Sequence, residues 1–231
     1  MNLAIVGYGR LGKRIEQLAP DYGFTVALKI GRDDGAADRF TKQSFHGIDA
    51  AVEFSTPVAC VENVERLAAI GVNTVVGTTG WLDRIEHVRS VVARSGTALV
   101  WGANFSVGAN IFIEIVGKAA RLLATEDAYG AWAWEIHHAT KKDSPSGTLR
   151  AMLHEMQKNA YSREVHVAAN RAGSQPGTHE LGFDSPDDTI TLRHTARSRD
   201  GFARGALRAA RWTAGKKGFY EFREILQELG P

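Results

Sequence analysis

The sequence predicts an α/β protein in which a Rossmann-type parallel-sheet domain is joined to an α+β substrate domain with an open mixed sheet. Three observations predict it. The chain opens with a short apolar run, a glycine turn and a helix-patterned segment, "LAIVGYGRLGKRIEQLA". Short apolar runs and amphipathic segments then alternate, joined by short turns, which is the signature of a parallel sheet covered on both faces. After Phe105 the rhythm changes to one long apolar helix and then to strand-like runs set between Gly, Ser, Pro and Asp clusters.

Taken in order, Leu3 to Val6 read as the first strand, and Ile15 and Leu18 recur at helical spacing after the turn. "FTVALKI" fits a second strand. The alternation continues through "DAAVEFS" (strand), "VENVERLAAI" (helix), "NTVVGTTG" (strand and turn), "RIEHVRSVVARS" (helix) and "TALVWGANFS" (strand and loop). A long helix is expected over Val107 to Leu123. Next, "AYGAWAWEI" alternates as a strand, and "LRAMLHEMQ" sets Leu149, Met152, Leu153 and Met156 on one helical stripe. "EVHVAAN", "THELGFD" and "TITLRHTA" read as further strands, and the alanine-rich "GFARGALRAARWTAG" as a last helix returning to the first domain. The expected boundaries are residues 1–104 with 206–231 for the first domain and 105–205 for the second.

The 231 residues, 44% hydrophobic and 23% charged, suffice for a sizeable core. A formal net charge of +2 offers no basic stripe for nucleic acid and no polybasic membrane anchor, so the expected ligand is a small molecule. The opening "MNLAIVGYG" lacks a signal layout and no run is long enough to span a bilayer, which leads to the expectation of a cytoplasmic protein. The single cysteine, Cys60, has no histidine near it in sequence and reads as a structural thiol.

Gly7, Gly9 and Gly12 lie where the first strand meets the first helix, the setting in which G-x-G-x-x-G brings backbone close to a pyrophosphate and aims helix N–H groups at it. Tyr8, Arg10 and Leu11 complete this turn as candidate cofactor contacts. The fingerprint also calls for an acidic residue at the end of the second strand, to hold the ribose hydroxyls of NAD. Here the strand ends "LKIGRDD", so Arg32, helped by Lys29, is at least as well placed to grip a 2′-phosphate. The cofactor expectation is therefore NADPH or NADH, leaning to NADPH, with a solvated charged turn as the competing reading. Phe54 and two turns at strand ends, Gly77, Thr78 and Thr79, and Gly102, Ala103, Asn104 and Phe105, join the candidates. Asn104 is suited either to the carboxamide or to forming the turn.

The stretch "EIHHATKKDSPSGT" carries the second set of candidates. On an extended chain Glu135 and His137 share one side, while Trp132, Trp134 and His138 share the other. The histidines point apart and no third well-spaced ligand follows, so no metal is expected. Ser144 is suited to cap the next helix and Pro145 to its first position, exposing the amides of Ser146, Gly147 and Thr148 to an anion, with a carboxylate as the natural guest. Histidine can protonate a carbanion formed as hydride arrives, and lysine can hold a carboxylate or give a proton. A hydride donor in one domain and an acid in the other make a reductase layout.

These residues resemble the dihydrodipicolinate reductases, now called 4-hydroxy-tetrahydrodipicolinate reductases. The family signature E-x-H-H-x-x-K-x-D-x-P-S-G-T is matched at Glu135, His137, His138, Lys141, Asp143, Pro145, Ser146, Gly147 and Thr148. "GRLG", "EFSTP", "GTTG", "ANFSVGAN" and "HTARSRDGFARGALRAARW" extend the likeness along the whole chain. The resemblance implies His137 as the acid/base residue and Lys141 as second proton donor or carboxylate partner, with His138, Ser146, Gly147 and Thr148 binding a dicarboxylate substrate. It also implies a homotetramer built on the open sheet, and NAD(P)H-dependent reduction of 4-hydroxy-tetrahydrodipicolinate to tetrahydrodipicolinate in lysine and diaminopimelate biosynthesis. Departures are the lost acidic residue near Gly31, Gln175 in "RAGSQPGTHEL", Leu149 after the signature, and a short glycine turn. The competing readings are a non-catalytic dinucleotide sensor and another amino-acid dehydrogenase on the same scaffold.

Overall fold

A computed structural model describes residues 1–31 and 36–230. The chain forms two compact units, Met1–Ser106 with Phe202–Pro231, and Val107–Gly201.

The first unit is a six-stranded sheet with every pairing parallel, in the order β10-β5-β4-β3-β1-β2. Its strands are β1 (Asn2–Val6), β2 (Thr25–Ile30), β3 (Ala50–Glu53), β4 (Asn73–Val76), β5 (Ala98–Trp101) and β10 (Gly218–Glu221). Helices α1 (Arg10–Leu18), α2 (Pro57–Ile70), α3 (Ile85–Ser95) and α6 (Asp200–Trp212) belong with this sheet. Beyond the exposed Asn2, β1 is apolar and buried, and β3 is buried throughout and apolar up to its last residue, the buried Glu53, as strands covered on both faces must be. One packed cluster gathers Ala4, Val6, Ile30, Ala51 and Leu67, and another Cys60, Val64, Val76, Val88 and Leu99. Strand β10 was not expected. Its four residues follow Gly-Lys-Lys and are half-buried at the sheet edge, so no apolar run announced them.

Pairing continues one residue past the carboxyl ends: Gly7 N–H donates to Ile30 O (2.9 Å), Phe54 to Val6 (2.8 Å), Gly77 to Glu53 (2.9 Å) and Gly102 to Val76 (3.1 Å). The predicted turns thus stand in one row along that edge. Between β2-β1 and β3 the strand order reverses, the position at which open parallel sheets bind ligands.

The second unit carries α4 (Val107–Leu123) and α5 (Gly147–Lys158) with a mixed sheet, β7-β6-β8-β9. Strand β6 (Gly130–His137) pairs in parallel with β7 (Val165–Arg171) and antiparallel with β8 (Thr178–Asp184), which pairs antiparallel with β9 (Thr189–Thr195). Burial alternates along β6, with Ala131, Ala133, Glu135 and His137 buried. The alanines meet Phe112, Val116, Leu149, Met152, Leu181 and Phe183 in the core beneath the helices. Two ionisable residues therefore continue an apolar face, and that forces partners upon them.

Candidate active site

In the first unit, a cavity of about 710 Å³ is lined by Gly7, Tyr8, Gly9, Lys13, Lys29, Gly31, Phe54, Ser55 and Thr56 among others. The glycines divide their tasks. Gly7 has φ +93°, and a Cβ there would fall 2.2 Å from the Phe54 carbonyl oxygen. A Cβ on Gly12 would stand 2.6 Å from Gly7 O, so this residue lets the helix settle on the turn. Nothing lies within 4 Å of the Cβ direction of Gly9, the N-cap of α1, which has no side-chain cap and no acidic residue in its first turn. That leaves an exposed, positively polarised helix start beside open space, which fits a pyrophosphate.

Tyr8 hydrogen-bonds Glu16, and Lys29 reaches the same carboxylate at 2.9 Å while lying 5.0 Å from the Tyr8 ring centroid. Lys13 stands on that ring as well, at 6.0 Å. The end of β2 thus offers an ammonium to the cavity where an NAD site would offer a carboxylate. Arg32 lies outside the described residues. Arg10 and Leu11 begin α1. Phe54 lies against Gly77, where a Cβ would come within 1.8 Å of its ring, and packs edge-on to Phe105. Thr78 is taken up by structure: its hydroxyl accepts from Ser55 N–H and its carbonyl from Trp81. Thr79 and Ala103 are exposed, Gly102 is buried, and the buried Phe105 ring packs on Phe222. Asn104 Oδ1 accepts from Ser106 N–H, which is the turn-forming role.

In the second unit, the signature residues converge on Glu135, which is wholly buried. Its Oε1 accepts from Ser146 N–H at 2.9 Å and from Arg171 at 2.7 Å. Its Oε2 faces His179 Nε2 at 3.4 Å and His137 Nδ1 at 3.7 Å. Burial alone would raise the Glu135 pKa, but the bonds from Ser146 and Arg171 outweigh it and hold the carboxyl below its ordinary value. For His137, burial outweighs the pull of Glu135 and lowers the pKa. For His179, burial and then the neighbouring His137 lower it to about 4.

The helix start differs from the expectation. Ser146, not Ser144, is the N-cap: its Oγ accepts from Leu149 N–H at 3.1 Å, and α5 begins at Gly147. Pro145 precedes the cap, across a cis bond from Ser144. The cap moves two residues along because Glu135 captures the Ser146 amide and His179 Nε2 meets its hydroxyl at 3.1 Å. Gly147 opens the first turn, exposed and with empty space where a Cβ would stand, next to Thr148.

Lys141 pairs with Asp143 at 2.7 Å, which holds that carboxyl below its usual range. His138 bonds Thr140 through Nδ1 (2.8 Å) and Arg199 through Nε2 (2.8 Å). A guanidinium only donates, so the Nε2 of His138 is the acceptor in its contact with Arg199. Arg199, Arg171 and His179 were not foreseen. They lie 61, 36 and 44 residues from the groups they serve, since 199 less 138, 171 less 135 and 179 less 135 give those separations. Strand register unites two of them, with Glu135 opposite His179 and His137 beside Arg171, while Arg199 comes from the loop between β9 and α6.

Among the described residues, Glu135, His137 and His179 form a group of metal-ligand types whose atoms lie within 4.8 Å of one another. Arg171 bonds the other oxygen of that carboxylate, Oε1. No helix among the described residues is long and apolar enough to cross a membrane.

The family description "Dihydrodipicolinate reductase, N-terminus" matches residues 1–105, and "Dihydrodipicolinate reductase, C-terminus" matches residues 108–226. The 4-hydroxy-tetrahydrodipicolinate reductase of Christiangramia forsetii is 33% identical across 99% of both chains, and that of Thermosipho africanus 35% across 99% of both. A solved dihydrodipicolinate reductase from Paenisporosarcina sp. TG-14, with dipicolinate bound, superposes with a TM-score of 0.83 at 17% identity, covering 97% of this chain and 99% of that one, which shows the shared fold. The chain belongs to the dihydrodipicolinate reductase family.

Proposed function

We propose that the protein reduces 4-hydroxy-tetrahydrodipicolinate to tetrahydrodipicolinate with a pyridine nucleotide, in lysine and diaminopimelate biosynthesis. The observation that carries this reading is the buried Glu135–His137 pair beside the anion-binding start of α5, in a chain whose other unit has a dinucleotide turn. Bound nucleotide supplies hydride to C4 of the ring, and water leaves from the same carbon. The side chains supply the rest. His137 gives a proton to the carbon next to C4, which becomes basic as hydride arrives. Lys141, Arg199 with His138, and the α5 start at Gly147 and Thr148 hold the two carboxylates, while Ser146, its amide bonded to Glu135, caps that helix from within the fold.

Gly7, Tyr8, Gly9, Arg10, Leu11 and Gly12 cradle the pyrophosphate and adenosine in this reading. Phe54, Gly77, Thr78, Thr79, Gly102, Ala103, Asn104 and Phe105 form the edge along which the rest of the nucleotide lies. Lys29 and Lys13 at the cavity support a preference for NADPH, because each adds positive charge where a 2′-phosphate would lie. Trp132 and Trp134, half-buried on the sheet face away from the core, support assembly into a homotetramer through that face.

Nicotinamide absorbance is followed with the substrate made in situ by the preceding aldolase, using NADH and NADPH at equal concentration. Turnover with competitive inhibition by pyridine-2,6-dicarboxylate is the expected result; nucleotide binding without turnover would overturn the reading.

A further inference from the structure

His137 reaches no acceptor or donor through Nδ1, although that atom is buried, and the same holds for Glu135 Oε2. The two face each other at 3.7 Å. A buried carboxylate oxygen left without a hydrogen bond is destabilising, and so is a buried N–H. One placement of a proton satisfies both: Nδ1–H of His137 directed at Oε2. The other face of the ring is fixed by shape. Gly177 stands opposite, and a Cβ on it would come 2.9 Å from His137 Nε2 and 3.1 Å from its Cδ2. Glu135 itself cannot turn, because Arg171 and the Ser146 amide clamp its Oε1 and His179 flanks its Oε2 at 3.4 Å.

We propose that Glu135 is the positioning residue of the acid–base centre, holding the Nδ1 proton of His137 so that Nε2 is the nitrogen that releases and regains the catalytic proton. The inference rests on the assignment of His137 as proton donor. In the protonated ring both nitrogens carry hydrogen. Nε2–H is given to the substrate carbon, the C–H bond forms, and the electron pair stays on Nε2. The neutral ring keeps Nδ1–H on Glu135, and solvent restores Nε2–H.

The groups facing His137 are Glu135 on its own strand, Arg171 on β7, His179 on β8, and Lys141 and Asp143 in the following loop. Glu135 and Asp143 favour the charged ring; Lys141, Arg171 and burial oppose it. His179, with its pKa near 4, stays neutral over the working range. Removing the Glu135 charge therefore lowers the pH at which His137 loses its proton.

Two measurements test this. In Glu135→Gln, kcat is expected to fall about 10–100-fold with KM nearly unchanged, as when an orienting partner of a functional histidine is lost. The alkaline limb of the kcat profile moves to lower pH, and Glu135→Asp recovers part of both. An unmoved limb in a folded Glu135→Gln protein overturns the proposal. Imidazole ¹⁵N shifts of the wild-type protein, assigned with His137→Gln, are expected to show the neutral His137 ring protonated at Nδ1; an Nε2–H ring overturns it. The second measurement needs no turnover, so it decides the proposal even if the variant does not fold, and a wild-type protein without reductase activity would sink the functional reading alone.

Discussion

The glycine turn after β1 and the segment joining β6 to α5 both prepare a place for an anion, by opposite means. The first does it by leaving side chains out. Gly7 and Gly12 vanish so that backbone can pack, and Gly9 leaves open space at a bare helix start. The second does it by crowding side chains in. Glu135, His137, His179, Arg171 and Ser146 come from two neighbouring strands, the centre strand and a helix cap, with Glu135 held by Ser146 and Arg171, and Ser146 in turn by His179. A site made of absences tolerates little volume. A site made of mutually held charges tolerates little change of charge.

The sharpest test of that contrast is His137→Ala. The proposed acid lies at the end of the charged chain, so kcat should drop about 10²–10⁴-fold. Thermal unfolding and nucleotide affinity, measured on the same preparation, should stay close to wild type; near-wild-type turnover would remove the mechanism.

The charged site should also make stability depend on pH, whereas the glycine turn should not. The His179 pKa stands near 4 when folded against 6.5 when unfolded. Between those values the unfolded chain binds more protons, so stability is present above pH 6.5 and is lost as pH falls towards 4, by about 3 kcal/mol. Glu135, held below its ordinary value, adds a loss in the same direction below about pH 4.5. Urea titrations at stepped pH on wild type and His179→Gln measure it; parallel curves for the two would contradict the assignment.

Within the glycine turn, two substitutions to alanine should separate fold from function. Gly7→Ala places a Cβ against the Phe54 carbonyl at positive φ and should destabilise by about 1–3 kcal/mol. Gly9→Ala meets open space, so its melting temperature should hold while nucleotide affinity falls. Equal loss of stability in both would erase the division of labour drawn between them. The smallest effect is at Lys29. Its replacement by Ala should weaken NADPH binding about tenfold and leave NADH binding nearly unchanged, as expected for one ammonium lost from a phosphate.

Much of both sites was legible because their logic is local. The strand, turn and helix around Gly7, Gly9 and Gly12 follow from spacing, and the alternation of β6 correctly put Glu135 and His137 on one face. The start of α5 was misplaced by two residues because Ser144-Pro145 carries as good a local capping signal as Ser146, and only the contacts with Glu135 and His179 decide between them. His179 and Arg171 carried no local signal whatever. "GTHEL" and "NRAG" look like ordinary strand ends until β8 and β7 are laid beside β6.

By itself the sequence determined the parallel-sheet unit, the second unit with its mixed sheet, and the identity of the proton donor candidates, because periodicity, glycine spacing and a dense motif act over a few residues. Only the tertiary structure decided what stands behind those donors: the carboxylate that faces His137, the guanidinium that clamps it and the second imidazole beside it. Burial makes unpartnered charge too costly to leave alone, and strand register, a long-range property, chooses which distant residues answer it.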